Sequence, residues 1–189
     1  MEIENNVVGC ISPIEGSIIS YFSSRCNVNS CIVNIGCYRG RSIKYIVNGI
    51  RSFRKPTIYA IDLRIKDEIK EYTKNNVLFL EGSSYSDEIV RCIPNNLDFV
   101  FIDGDHTETG CSNDLNIYWK KLNPGGIIMI HDCYETGDGI YHQPEVKSAC
   151  DKFVKEHNNE LVQDHWNCSP VHRVDSSMII QKSIINIKL

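Results

Sequence analysis

The sequence predicts a single doubly wound α/β domain, and three observations carry that prediction. Short continuous apolar runs recur along the chain, without the apolar–polar alternation of half-exposed strands. Stretches with apolar residues at helical spacing separate them, the pattern of a parallel sheet covered on both faces. The runs also end repeatedly in glycine, an acid or histidine, as strands do where a sheet opens onto a ligand.

The elements follow in order. Ser12-Pro-Ile-Glu15 has a capping-box pattern with proline at the first helical position, and Ile14, Ile18, Ile19 and Phe22 predict a helix over 13–24. Cys31 to Gly36 reads as a buried strand, and 42–53 as a helix with Ile43, Ile46, Val47 and Ile50 on one face. Thr57–Asp62 is a strand ending in an acid, followed by a charged helix over 64–74. Val77–Glu81 is the next strand, then Gly82-Ser-Ser and a helix near 85–92. Leu97–Asp103 is a strand ending in an acid, with a helix near 110–121 after it. Pro124-Gly-Gly opens the strand Ile127–His131, and Pro144 opens a helix to about His157. Two further strands are expected, near 160–166 and at Ser176–Lys182. No linker or repeat interrupts the pattern, so residues 1–189 form one domain with an N-terminal extension (1–11) and a lead helix (12–24).

Composition narrows the function classes. Apolar content of 42% and charged content of 23% suit a globular protein, and the net charge of −4 without a basic cluster argues against nucleic acid as partner. The odd count of nine cysteines contains no C-x-x-C pair, and several lie inside apolar runs, which fits free thiols in a reducing cytoplasm. The acidic start MEIENNVVGC does not read as a signal peptide, and no apolar run approaches the ~20 residues of a membrane span.

The strand ends gather Gly36–Gly40, Asp62, Glu81–Ser84, Asp103–His106 and His131–Asp132 along one rim of the sheet. Gly36 and Gly40 bring the backbone close to a ligand and open a helix at Ser42 whose free amides favour an anionic group. The same glycines would serve a plain strand-to-helix turn. Asp62, 26 residues after Gly36, suits a ribose diol or could cap the following helix. Loop and acid together point to an adenosine-containing ligand.

VNIGCYRG, IYAID, LEGSS, LDFVFIDGDH and LNPGGIIMIHD, in this order and at these gaps, resemble the class I S-adenosylmethionine-dependent methyltransferases. The likeness covers about residues 12–182. It is nearest to a small-molecule branch with I-D-G-D-H and a later G-G-(x)4-H-D, whose lead helix also resembles S-P-x-E-G. It implies a Rossmann-like seven-stranded, mostly parallel sheet with helices on both faces and a reversed last strand. The cofactor implied is S-adenosylmethionine. Asn34, Gly36, Tyr38, Gly40 and Ser42 would lie at its methionine and ribose side, Asp62 on the ribose hydroxyls and Leu63 beside the adenine. Gly82, Ser83 and Ser84 would flank the adenine, with Asp103 and Asp105 near the transferred methyl. Asn34 departs from the usual acid, which removes a charge attraction for the methionine ammonium.

The acceptor side offers Asp103, Asp105, His106, His131 and Asp132. His131, Asp103 and His106 are the catalytic candidates, with either histidine as general base. Some resembling O-methyltransferases hold a divalent metal, which by position would fall on Asp103, His131 and Asp132. A histidine there suits Mn²⁺, Fe²⁺ or Zn²⁺ better than Mg²⁺. For His106, Cys111, His131 and Cys133, the spacings H-x4-C and H-x-C are not those of common zinc modules. Tyr141, His142, Trp166 and His172 are weak candidates for an acceptor pocket.

The reading is a methyltransferase acting on a hydroxyl of a small sugar- or phenol-like molecule, without nucleic-acid or membrane partners. Oligomeric state is left open, a homodimer included. The alternatives are a non-catalytic cofactor-binding module and an NAD-dependent oxidoreductase. The latter lacks G-x-G-x-x-G and a Tyr-x-x-x-Lys pair.

Overall fold

In the computed structural model, the described residues are 10–51, 54–135, 143–163 and 169–184. Helix α1 (Pro13–Arg25) starts at the predicted capping box: Ser12 Oγ accepts from Glu15 N, and the Glu15 carboxylate accepts from Ser12 N. Strand β1 (Cys31–Ile35) is buried throughout and lies inside the sheet, third in its order. It is followed by α2 (Arg41–Gly49), β2 (Thr57–Asp62), β3 (Val77–Glu81), α3 (Asp87–Cys92) and β4 (Leu97–Ile102). Then come α4 (Glu108–Lys121), β5 (Leu122–Ile130), α5 (Pro144–Glu156), β6 (Val171–Val174) and β7 (Ser177–Gln181).

The seven strands form one sheet in the order β3-β2-β1-β4-β5-β7-β6. The first five are parallel, and β7 runs antiparallel to both β5 and β6, which is the predicted reversal. Alternate residues of each strand feed opposite layers. Phe99, Phe101 and Met129 pack with α1 and α2 residues such as Ile19 and Ile46. Val100, Ile102 and Ile128 pack with Leu115 and Tyr118 of α4 and Phe153 of α5.

Three expectations need correction. The segment expected as a helix over 64–74 is a 3₁₀ stretch, Asp67–Asn75, in which Ile69 is the one buried residue. A turn with so little apolar surface to bury lacks the packing that holds an α-helix. The strand expected near 160–166 reduces to a bridge from Leu161 to Lys182 after a 3₁₀ turn, with residues 164–166 outside the described residues. Its place is taken by β6, whose sequence Val-His-Arg-Val is an outer edge with two exposed polar residues and no apolar run. Finally, β5 begins at Leu122 and takes in Pro124-Gly-Gly.

Candidate active site

Hydrogen bonds continue the parallel ladder one residue past the strand ends, and this aligns the rim. Gly36 N donates to Ile61 O, Gly82 N to Asp62 O, Asp103 N to Ile35 O and His131 N to Ile102 O. Gly36 has φ of +77°, and a Cβ there would stand 1.8 Å from the Asp103 carbonyl oxygen. Only glycine lets β1 and β4 approach so closely at this point. Gly40, at φ +85°, is the left-handed residue that turns the chain into α2.

Above the rim opens a cavity of about 850 Å³, a size that suits a cofactor-scale ligand. Gly36, Tyr38, Ser42, Asp62 and Leu63 line one side of it, and Gly82, Ser83 and Ser84 another. Asp103, Asp105, His106, His131 and Asp132 complete the predicted set. Two predicted cofactor residues do not line it. Gly40 shapes the loop, and a Cβ on it would face Ile69 and Tyr72. Asn34 is wholly buried inside β1 and reaches the cavity only through Ser42, to whose Oγ its Nδ2 donates at 2.9 Å. Its Oδ1 has no hydrogen-bond partner among the described residues.

Asp62 is held rigid, Oδ2 accepting from Tyr38 N at 2.8 Å and Oδ1 from Arg64 N at 3.1 Å. Beside it, Leu63 (78% exposed) and Tyr38 (51%) present large apolar faces at the mouth. Tyr38 has φ of +40° and lies between Lys66 and Arg39, whose cationic groups are 4.2 and 5.5 Å from its ring. Arg39 and Arg41 also line the mouth, and Arg39 forms only a long exposed pair with Glu68 at 3.9 Å. On the opposite side the Ser84 hydroxyl donates to Asp114 Oδ1 at 2.6 Å, beneath the cavity floor. Burial pushes the Asp114 carboxyl up to about 7.

The charged end of the cavity is a cluster of three carboxylates and two imidazoles. His131 Nε2 lies 3.3 Å from Glu15 Oε2, and Nδ1 lies 3.0 Å from Asp132 Oδ1 and 3.4 Å from Asp103 Oδ1. Neither of the latter approaches has hydrogen-bond geometry, so buried Nδ1 is left without such a partner among the described residues. His106 Nε2 stands 3.4 Å from Asp103 Oδ1 and 3.5 Å from Asp132 Oδ2. Asp132 has φ of +57°, a left-handed conformation rare for a residue other than glycine and characteristic of functional sites.

These contacts set the protonation states. Burial alone would push His131 down, but the carboxylates of Asp103, Asp132 and Glu15 raise it to about 12. Burial likewise opposes ionisation of Glu15, yet His131 and Ser177 bring it to about 2. Asp103 is also held below its ordinary value, the nearby His106 and His131 outweighing burial. His106 is raised, chiefly by Asp103.

His131 therefore does not fit the predicted role of proton acceptor, since it is 3% exposed and its nitrogens face three carboxylates. His106, 38% exposed at its side chain and lining the cavity, is the accessible imidazole. The donor set does fit a divalent cation. One ligand atom from each of Asp103, His131 and Asp132 falls within 4.8 Å of the others, and the nitrogen among them is unpaired.

Residues 33–133, just over half of the chain, match the family described as Methyltransferase domain. The chain belongs to that family. A protein of Acanthamoeba polyphaga mimivirus, described as uncharacterized, is 31% identical over 137 residues; the match spans 66% of this chain and 59% of that protein. The O-methyltransferase NovP is 17% identical, with a TM-score of 0.68 covering 92% of this chain and 81% of NovP. MycE methyltransferase, solved in complex with Mg and SAH, is 16% identical, with a TM-score of 0.64 over 93% of this chain and 51% of MycE. The shared fold is that of the class I S-adenosylmethionine-dependent methyltransferases, as the order of motifs implied.

Within this methyltransferase domain, the sequence pattern missed Glu15 as a member of the charged cluster. It showed only the capping box, because the other contacts of Glu15 come from residues more than a hundred positions away. Ile35, Cys37, Ile61 and Gly104, inside the sequence motifs, and Tyr85, next to one, also line the cavity, though the pattern assigned them no individual role. Tyr141, His142 and Trp166 lie outside the described residues, and His172 is exposed on β6, away from the cavity lining. The eight described cysteines are free, as expected, and no described helix is long and apolar enough to cross a membrane.

Proposed function

We propose that this methyltransferase transfers a methyl group to a hydroxyl of a small molecule, with a divalent cation held by Asp103, His131 and Asp132. The observation that carries the reading is the unpaired His131 Nδ1 between two carboxylates at one end of the cofactor-sized cavity. That NovP is an O-methyltransferase and MycE was solved with Mg supports it.

In this reading Gly36, Tyr38 and Ser42 bound the methionine side of S-adenosylmethionine, and Asp62 accepts from its ribose. Leu63 and the Gly82–Ser84 turn enclose the adenine, and Asp103 and Asp105 lie toward the methyl. The cofactor supplies an activated methyl on a sulfonium, and the cation supplies acidity to an acceptor hydroxyl. The protein's own share is alignment, which removes much of the entropic barrier, and proton handling. His106 takes the acceptor's proton, and the imidazolium formed is stabilised by Asp103 and Asp132, 3.4 and 3.5 Å from its Nε2. A nitrogen ligand inclines the site toward Mn²⁺, Fe²⁺ or Zn²⁺ rather than Mg²⁺.

Calorimetric titration tests this. The demethylated cofactor product should bind the wild type, and Mn²⁺ should bind the wild type but not Asp132→Asn. No binding of that product at millimolar concentration sinks the cofactor assignment. Equal Mn²⁺ affinity in wild type and variant sinks the metal assignment.

A further inference from the structure

Glu15 sits at the third helical position of α1, where a capping glutamate is ordinarily solvated and serves one backbone amide. Here its side chain is 2% exposed. Burying a carboxylate is costly unless it is fully paired. Four donors meet that need: Ser12 N at 3.0 Å, His131 Nε2 at 3.3 Å, Ser176 Oγ at 2.8 Å and Ser177 Oγ at 2.7 Å. These come from the start of α1, the end of β5 and the β6–β7 hairpin. A helix cap needs none of the last three.

An ionised carboxylate only accepts, so the contact with His131 keeps a proton on Nε2, and a cation binding His131 displaces the other ring proton, from Nδ1. The other nitrogen, Nδ1, is the one that faces Asp103 and Asp132 without a hydrogen bond. The same hairpin braces the neighbouring backbone, since Cys133 N and Tyr134 N both donate to Ser176 O, at 2.8 and 2.9 Å. Ser176 thus steadies Glu15 through its hydroxyl and the residues just after Asp132 through its carbonyl.

We propose that Glu15 is a positioning residue for the metal centre. It holds His131 with its proton on Nε2, so that Nδ1 is offered with the Asp103 and Asp132 carboxylates to a nitrogen-accepting divalent cation. A carboxylate behind a ligating histidine fixes its tautomer and raises its basicity. The inference rests on the metal-assisted reading above and adds a residue that contacts neither cation nor cofactor.

Glu15→Gln separates this role from a structural one. The amide oxygen still serves the capping box or the serines, but the amide N–H₂ can donate to His131 Nε2. That moves the ring proton to Nδ1, where it blocks the ligand position. Mn²⁺ should bind the variant about 10- to 100-fold more weakly than the wild type. Affinity for the demethylated cofactor product should change less than about 2-fold, since Glu15 does not line the cavity. Long-range ¹H–¹⁵N NMR of the Zn²⁺-loaded wild type should show one His131 ring proton, on Nε2, and this needs no variant to fold. Equal Mn²⁺ affinity in variant and wild type, or a ring proton on Nδ1 in the loaded wild type, overturns the role of Glu15 alone. A wild type that binds neither Mn²⁺ nor Zn²⁺ overturns the metal reading and this inference with it.

Discussion

Replacing Asp114 with asparagine should stabilise the protein at mildly alkaline pH and do little at acid pH. Asp114 lies wholly buried on α4, with Oδ1 accepting from the Ser84 hydroxyl at 2.6 Å and Oδ2 unpartnered. Burial holds its carboxyl at about 7 instead of 3.8, so the folded state favours the protonated form. With the folded value above the unfolded one, the native protein binds the extra proton, and stability falls as pH rises from the lower value to the upper. At about 1.4 kcal/mol per pH unit, the gap of roughly three units makes ionised Asp114 cost up to about 4 kcal/mol. Asparagine keeps an oxygen for Ser84, places a neutral amide where Oδ2 lay, and has nothing to ionise. Urea denaturation at about pH 5 and about pH 8 should show the variant's advantage growing by about 2–3 kcal/mol between them. The melting temperature should show the same trend, by roughly 5–10 °C for a domain of this size. An advantage constant within about 0.5 kcal/mol would show that Asp114 does not titrate between folded and unfolded states in this range.

Gly36→Ala should cost about 3 kcal/mol or more, because the new Cβ meets a carbonyl oxygen at 1.8 Å in a left-handed conformation. A loss below about 1 kcal/mol in denaturant melts would refute the close approach of β1 and β4. His106→Gln should lower kcat by about 10²- to 10⁴-fold without weakening binding of the demethylated cofactor product, as expected for loss of the general base. In metal-free protein, NMR titration of the His106 ring should give a value above the ordinary 6.5, set by Asp103, and Zn²⁺ should lower it. A ring that titrates at its ordinary value in both states would separate His106 from the carboxylate cluster.

The rim was legible because parallel strands buried on both faces advertise themselves. Each is a short, mostly apolar run, and the glycine, acid or histidine that closes it marks where the ladder leaves the core, as at Gly36, Asp62, Gly82, Asp103 and His131. What failed was whatever lacks apolar surface. The edge strand Val-His-Arg-Val buries too little to signal itself, and the charged stretch after Asp62 has one buried residue to set its geometry. Asp114 could have been found. It shares the buried stripe of α4 with Gly110, Cys111, Leu115 and Tyr118, and an acid on an apolar stripe must be protonated, paired or both.

Glu15 and Asn34 show the converse limit, where a motif is visible but its partner is not. Read locally, Glu15 completes a helix cap and Asn34 occupies the place of a ligand-binding acid. In the folded chain Asn34 turns to Ser42 and is sealed behind the loop, so its missing charge bears on loop geometry before it bears on the ligand. Glu15 carries a full charge into the core, tied to His131 some 116 residues away. Glu15, Asp103 and Asp132 thus gather negative charge around His131 at one end of the cavity. Three carboxylates against two imidazoles leave a surplus that a cation can neutralise. The loop side presents instead the Ser42 hydroxyl and the amino end of α2, which favours an anionic group by its dipole. On the proposed function, the cation-favouring end and the amino end of α2 would keep the acceptor's proton transfer apart from the carboxylate of the methyl donor.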